Sequence, residues 1–225
     1  MTDPILNHPP RVDSWAFRSR DEEAHPYLSD CDLAEDKQAF LDGLNEEEDV
    51  WFFGYGSLMW NPGFPSLADG VAVAEGWQRR FCMWSTDYRG TPRQPGLVLG
   101  LDEGGSCTGR AYQVCRGRVQ EVADYLWERE MNTGMYRAVL IDAEVEGHGH
   151  RACWTFVVRR DHSQYADGLS EEDCAMLIGK AVGNRGSNRE YLKNTLQHLA
   201  DIGVEDDHLR EIAVRIDVEL VAEHF

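Results

Sequence analysis

Seven short strand-like runs crowd the stretch between residues 50 and 158, at 50–53, 71–75, 78–85, 97–101, 107–114, 138–145 and 152–158. No other feature limits the possible folds as much. Turn signals separate the runs at Asn61-Pro-Gly63, Arg89-Gly-Thr-Pro92, Asp102-Glu-Gly-Gly105 and Gly147-His-Gly149. Strands this short and this closely spaced predict a curved or closed, mostly antiparallel sheet. Helical spacing interrupts them once, over 117–131, and helices follow the last strand. Ser170 caps 171–182, Ser187 and Glu190 form a capping box for 188–202 that stops at Gly203, and a last helix occupies about 206–217. Strands clustered first and helices clustered last predict an α+β domain.

The first run ends unusually. Residues 50–60 read Val-Trp-Phe-Phe-Gly-Tyr-Gly-Ser-Leu-Met-Trp, an apolar strand that stops at two glycines and a serine before bulky side chains resume. Gly54 and Gly56 permit backbone conformations that let N–H groups around Ser57 converge on one small anion or carbonyl. An ordinary glycine turn after a strand is the plainer alternative.

Composition narrows the function. The formal net charge of the 225 residues is −18, from 22 basic and 40 acidic side chains, which excludes a protein that tracks nucleic-acid phosphates. Residues 1–49 carry 14 of the acidic and 4 of the basic side chains. With few hydrophobic residues before residue 30, the segment 1–48 reads as an acidic N-terminal extension, mobile or loosely docked. Ser29 and Asp30 can cap a short helix within it, and the domain proper covers 49–225. No apolar run reaches 18 residues and the N-terminus lacks a basic-then-hydrophobic leader, so a cytoplasmic protein without a membrane partner is expected. Six scattered cysteines form no Cys-x-x-Cys, which indicates reduced thiols and neither a zinc site nor a disulfide framework.

One carboxylate sits against the pattern. In 118–131, Val119, Val122, Ala123 and Leu126 recur at helical spacing. At about 100° per residue Glu130 lies roughly 40° from Leu126 on the apolar stripe, whereas Glu128 lies roughly 200° away among polar residues. A carboxylate turned toward the core loses hydration and holds its proton more tightly, as a general acid or base at neutral pH must. The alternative is a structural ion pair with an arginine.

Four segments together carry a resemblance: Phe53-Gly-Tyr-Gly-Ser-Leu-Met-Trp60; Ser85-Thr-Asp-Tyr-Arg-Gly-Thr-Pro92 with Gln94-Pro-Gly96; Leu126-Trp-Glu-Arg-Glu-Met131; and Asn188-x-x-Tyr-Leu192. In order and spacing they resemble the ChaC-like, glutathione-specific γ-glutamylcyclotransferases, from about Val50 to about residue 220. The resemblance implies a γ-glutamylcyclotransferase-like fold, a small β-barrel flanked by helices. It also implies cofactor-independent cleavage of glutathione to 5-oxoproline and cysteinylglycine. The residues it implies for substrate binding are Phe53, Gly54, Tyr55, Gly56, Ser57, Leu58 and Arg89, with Glu130 as catalytic acid/base and no metal. Arg89 is alternatively a plain turn cation. The turn Arg129-Glu-Met-Asn-Thr-Gly-Met-Tyr136 is longer than the Arg-Glu-Lys-Gly-Gly-Tyr of many relatives and resembles the bacterial branch. The extension 1–48 falls outside the pattern, and a monomer and a homodimer are equally compatible with the sequence.

Rival chemistries fit less well. Ser57 lacks the Gly-x-Ser-x-Gly of a nucleophile elbow, since Tyr55 and Met59 flank it. Met59 also breaks a dinucleotide fingerprint, and Gly183-Asn-Arg-Gly186 lacks the Lys-Ser/Thr of a phosphate loop. His148 and His150 read as a hairpin turn between two strands. A cyclotransferase acting on another γ-glutamyl amine or dipeptide, and a non-catalytic γ-glutamyl-binding module, remain open beside the glutathione reading.

Overall fold

The structure is a computed structural model and describes residues 29–45 and 47–217. Two long strands organise it. β2 (Ala68–Ser85) and β3 (Gly96–Val114) pair antiparallel along their whole length, from Ala68 opposite Gln113 to Ser85 opposite Gly96. β1 (Val50–Gly54) lies antiparallel to the second half of β3. β4 (Tyr136–Val145) joins the first half of β2, and β5 (Gly149–Val158) returns along β4. β5 then meets β1 in parallel, closing a barrel in the order β1-β3-β2-β4-β5. The closed sheet expected from the sequence is thus antiparallel except at this seam and at the Leu101–Val157 contact of β3 with β5.

The expected break at Asp102-Glu-Gly-Gly105 is not a turn. Gly104 and Gly105 have φ of 114° and 62°, and Gly76 across the ribbon has φ of 80°. These left-handed glycines lie where the pairing slips between Glu75 and Trp77. They bulge and bend one continuous ribbon instead of reversing it, so four predicted strands are two. The bend buries Asp102, which is 1% exposed. Its carboxylate accepts from Arg160 Nε at 2.7 Å, Tyr165 Oη at 2.8 Å and the Glu103 amide at 2.9 Å, with Arg80 Nη1 at 3.5 Å. A buried charge needs this many partners.

Helices cover the barrel on two sides. α1 (Asp30–Asp42) and α2 (Val119–Leu126) pack over Phe52, Val114 and Phe156. α3 (Glu171–Ile178), α4 (Asn188–Asp201) and α5 (Asp207–Arg215) pack over Phe81, Trp84, Leu97 and Leu99. Both serines cap their helices, but the reciprocal capping box is formed by Ser170 with Asp173, whereas of the box expected at Ser187 and Glu190 the structure has the bond from the Glu190 amide to Ser187 Oγ without its return partner. α3 ends at Ile178, earlier than 182. There the chain turns into a two-residue hairpin, Val182–Gly183 against Gly186–Ser187. Asn188 then docks α4 onto the barrel, accepting from the Leu97 amide at 2.6 Å and donating to the Leu97 carbonyl at 2.8 Å. No helix among the described residues is long and apolar enough to cross a membrane.

Of the 1–48 extension, residues 1–28 and Glu46 lie outside the described residues. Within α1, Phe40 is buried among Phe52, Trp127 and Trp154, the last two ring centroids both 4.8 Å away. Asp36 Oδ2 accepts from the Trp127 indole at 2.8 Å, and Lys37 pairs with Asp124. Trp127 is buried, so Asp36→Ala strands its N–H without a partner. A loss of about 1–3 kcal/mol of unfolding free energy is expected, read as a shift of the denaturant midpoint; an unchanged midpoint would mean that water replaces Asp36 at no cost.

Candidate active site

The loop after β1 is pinned by its carbonyls. A short 3₁₀ turn, Ser57–Met59, follows Gly54-Tyr55-Gly56. Arg79 Nε donates to the Tyr55 carbonyl at 2.5 Å. Tyr112 Oη reaches the Leu58 and Met59 carbonyls at 3.0 and 2.7 Å, and Arg129 Nη1 reaches that of Asn61 at 2.7 Å. A planar trans peptide points its N–H opposite its C=O, so fastening the Tyr55 carbonyl turns the Gly56 amide away from Arg79. The Met59 and Trp60 amides, by contrast, bond to the Gly56 and Ser57 carbonyls within the turn, and Pro62 after Asn61 has no N–H. The glycines serve this loop by a different means than expected. Neither Gly54 nor Gly56 adopts a positive φ. A Cβ on Gly54 would lie 2.8 Å from Leu58 Cβ, and one on Gly109 in β3 would lie 2.3 Å from the Gly54 carbonyl oxygen. Close approach of chain to chain is what requires glycine at 54 and 109.

Arg79 is the buried cation of this arrangement. It is 5% exposed, and besides Tyr55 it donates to the Thr108 carbonyl at 2.7 Å and to Asp206 Oδ2 at 2.6 Å. Asp206 in turn caps α5, accepting from the Leu209 amide. One guanidinium therefore ties the loop, β3 and the last helix together.

The predicted helix over 117–131 changes character midway. α2 ends at Leu126, and Trp127–Met131 form a π-helical turn in which Trp127 and Met131 are buried. Such turns widen the helix and are common where a side chain must be re-aimed. Glu128 points to solvent, as its helical phase predicts. Glu130 keeps only 21% of its side chain exposed and pairs with Arg129 Nε at 2.9 Å. Burial raises its carboxyl above the usual carboxylate range, and the Arg129 charge and hydrogen bond oppose the rise. The ion pair with an arginine is thus present at Glu130, together with the burial that an acid/base would need.

Three phenols share this environment. The Glu130 charge adds to burial in pushing up Tyr55, Tyr136 and Tyr191, the last to about 12. Tyr136 Oη donates to the Leu99 carbonyl at 3.0 Å. Arg89 joins through Tyr191: its guanidinium lies over that ring at 5.0 Å and donates to the Arg185 carbonyl at 2.6 Å. The other expected residues separate by depth. Phe53 and Leu58 are buried, Tyr55 and Gly56 are half-buried and Ser57 is exposed. Phe53 belongs to the barrel interior, where its carbonyl accepts from Thr155 Oγ1 at 2.9 Å. Ser57 Oγ accepts from Arg129 Nη2 at 2.6 Å, a partner that cannot take a proton, so its hydroxyl is a loop contact and not an activated nucleophile.

Sequence reasoning did not single out Arg79, Arg129, Tyr136 or Tyr191. Tyr191 stands in the fourth motif and Arg129 beside Glu130, so both had a signal. Arg79 stood between Gln78 and Arg80 at the polar start of a strand-like run, with nothing in the sequence to set it apart from either. Among the described residues no three His, Cys, Asp or Glu side chains form a group that could hold a metal ion.

The phenols offer a direct check. Five of the eight tyrosines, Tyr55, Tyr112, Tyr136, Tyr165 and Tyr191, are pushed up by burial, and Tyr112, Tyr165 and Tyr191 reach about 12. Unfolded phenols release their protons near pH 10, so stability falls as pH rises from about 10 toward 12. Tyrosinate absorbance of the folded protein should lag behind that of the denatured chain over this window. Coincident titration curves would contradict the burial of these side chains.

Comparison with known proteins points to one family. Residues 50–219 match the family model described as ChaC-like protein. The glutathione-specific gamma-glutamylcyclotransferase of Escherichia coli is 36% identical over 180 residues, covering 80% of this chain and 78% of that protein. Glutathione-specific gamma-glutamylcyclotransferase 1 of Mus musculus is 32% identical over 176 residues, covering 76% and 79%. The crystal structure of the glutathione-specific cyclotransferase from yeast superposes with a TM-score of 0.66 at 22% identity, covering 79% of this chain and 99% of that one, which establishes the γ-glutamylcyclotransferase fold. The pinned glycine loop, the half-buried glutamate and the barrel that joins them thus lie within the matched span, and the chain belongs to the ChaC-like family.

Proposed function

We propose that this chain is a glutathione-degrading γ-glutamylcyclotransferase in which Glu130 is the acid/base and the loop at 54–58 holds the γ-glutamyl group. The α-amine of that group attacks its own γ-carbonyl carbon. The new C–N bond closes a five-membered lactam, the old amide C–N bond breaks, and 5-oxoproline and cysteinylglycine leave without consumption of water. Intramolecular attack has effective molarities on the order of 10⁵–10⁸ M once the reactive conformer is held. Orientation by the loop can therefore supply much of the rate.

Proton transfer supplies the rest. The attacking amine must lose a proton and the departing amine must gain one, and Glu130 performs both in turn. Its partial burial beside Tyr55, Tyr136 and Tyr191 is the observation that carries the reading, because a carboxylate whose proton affinity is raised takes the proton of the attacking amine more readily than a solvated one. The Gly56 amide turned out by the pinned Tyr55 carbonyl suits the substrate's α-carboxylate or the developing oxyanion. Arg89, stacked on Tyr191, suits a second substrate carboxylate. The six cysteines, all unpaired, suit the reducing cytoplasm.

Incubation of the purified chain with glutathione, followed by mass detection, should show 5-oxoproline and cysteinylglycine in equal amounts, with γ-glutamyl-alanine turned over more slowly. Glutathione binding without 5-oxoproline would make this a binding module. Faster turnover of γ-glutamyl-alanine would assign the cyclisation to another γ-glutamyl compound.

A further inference from the structure

Arg129 applies all three guanidinium nitrogens to the site. Nε lies 2.9 Å from Glu130 Oε1. Nη2 donates to Ser57 Oγ at 2.6 Å, and Nη1 donates to the Asn61 carbonyl and the Tyr125 hydroxyl, both at 2.7 Å. The guanidinium also lies over the Tyr125 ring at 5.8 Å. Ser57 and Asn61 bracket the 3₁₀ turn, whereas Glu130 stands on the π-helical turn between α2 and β4. Neighbouring residues in an α-helix do not face each other, yet Arg129 and Glu130 pair. Their pairing falls within the π-turn.

We propose that Arg129 is a positioning residue for the cyclisation, its planar fork holding the Glu130 carboxylate in register with the loop that grips the γ-glutamyl group. The inference rests on the role given to Glu130 above. A lysine could match the charge but not the grip, because its ammonium is one point whereas the guanidinium spreads its donors over three nitrogens in a fixed plane. Charge and geometry therefore come apart in two variants.

Arg129→Gln removes the charge. Burial of Glu130 is then unopposed, its proton is held to higher pH, and the carboxylate form needed to take a proton is lost sooner on acidification. The acid limb of kcat/KM should move up by about 1–3 pH units. Arg129→Lys keeps the charge, so the limb should stay in place, but the loss of register should lower kcat by about 10- to 100-fold. A residue that only stabilised the fold would shift the unfolding midpoint and leave the limb unmoved.

Both variants are to be assayed on glutathione across pH alongside Glu130→Gln, with unfolding curves for each. A folded Arg129→Gln protein with the parent acid limb, or an Arg129→Lys protein with the parent kcat, overturns the inference. Should Arg129→Gln fail to fold, Arg129→Lys decides alone. If Glu130→Gln turns over at the parent rate, the acid/base reading itself falls and takes this one with it. If Glu130→Gln is inactive while the Arg129 variants behave as the parent, only the inference about Arg129 is wrong.

Discussion

Glu130→Gln should lower glutathione turnover by about 10²–10⁴-fold while the protein stays folded. Glutamine keeps the shape and can still donate and accept hydrogen bonds, but it cannot carry a proton between the attacking and departing nitrogens. Glu128→Gln is the control, two residues away on the solvent side, and should change turnover little. Stability should move the other way from activity. The Glu130 carboxyl is raised in the folded state, so its favourable contribution is complete below the unfolded value and is lost as pH rises through the folded one. At neutral pH the ionised side chain costs stability, and Glu130→Gln should unfold at slightly higher denaturant than the parent, with the difference vanishing in acid. Parent-level turnover by both variants would remove Glu130 from the mechanism; loss in Glu128→Gln alone would mean that the other glutamate does the chemistry.

Arg79→Met should cost about 3–5 kcal/mol of unfolding free energy. Methionine fills much of the space but leaves Asp206, whose side chain is 13% exposed, without its cation, and frees the Tyr55 and Thr108 carbonyls. The loop carbonyl is one of these, so activity should fall even in conditions where the variant remains folded. Chemical denaturation measures the first effect and glutathione turnover the second. A denaturant midpoint equal to the parent's would show that water satisfies all three acceptors and that the buried cation is dispensable.

Local pattern and long-range contact divide this protein between them. Strand positions were legible because an apolar run bounded by glycine and proline has few other uses, and the later helices because Ser170 and Ser187 cap in the structure as their spacing says. The opposite exposures of Glu128 and Glu130 were legible too, since a helical period separates residues two apart onto different faces. The continuity of β2 and β3 was not. A left-handed glycine serves a reversal or a bulge equally well, and only the pairing of Glu75 with Ser106 and Trp77 with Glu103 on either side of Gly76, Gly104 and Gly105 selects the bulge. The switch from α2 to a π-turn was also hidden. It is decided by what Trp127 and Arg129 touch: Asp36 and Phe40 from α1, and Ser57 and Asn61 from the loop. Arg79 is the extreme case. Its partners lie 24, 29 and 127 residues away, and a buried cation is tolerated only once all of them have assembled around it. The sequence by itself determined the order of elements, the glycine loop and the face of Glu130, because each depends on neighbours within a few residues. The parallel seam of β1 with β5, the pinned loop carbonyls and the Arg129 link between the loop and Glu130 were decided by tertiary structure alone, because each depends on groups brought together only when the chain has folded.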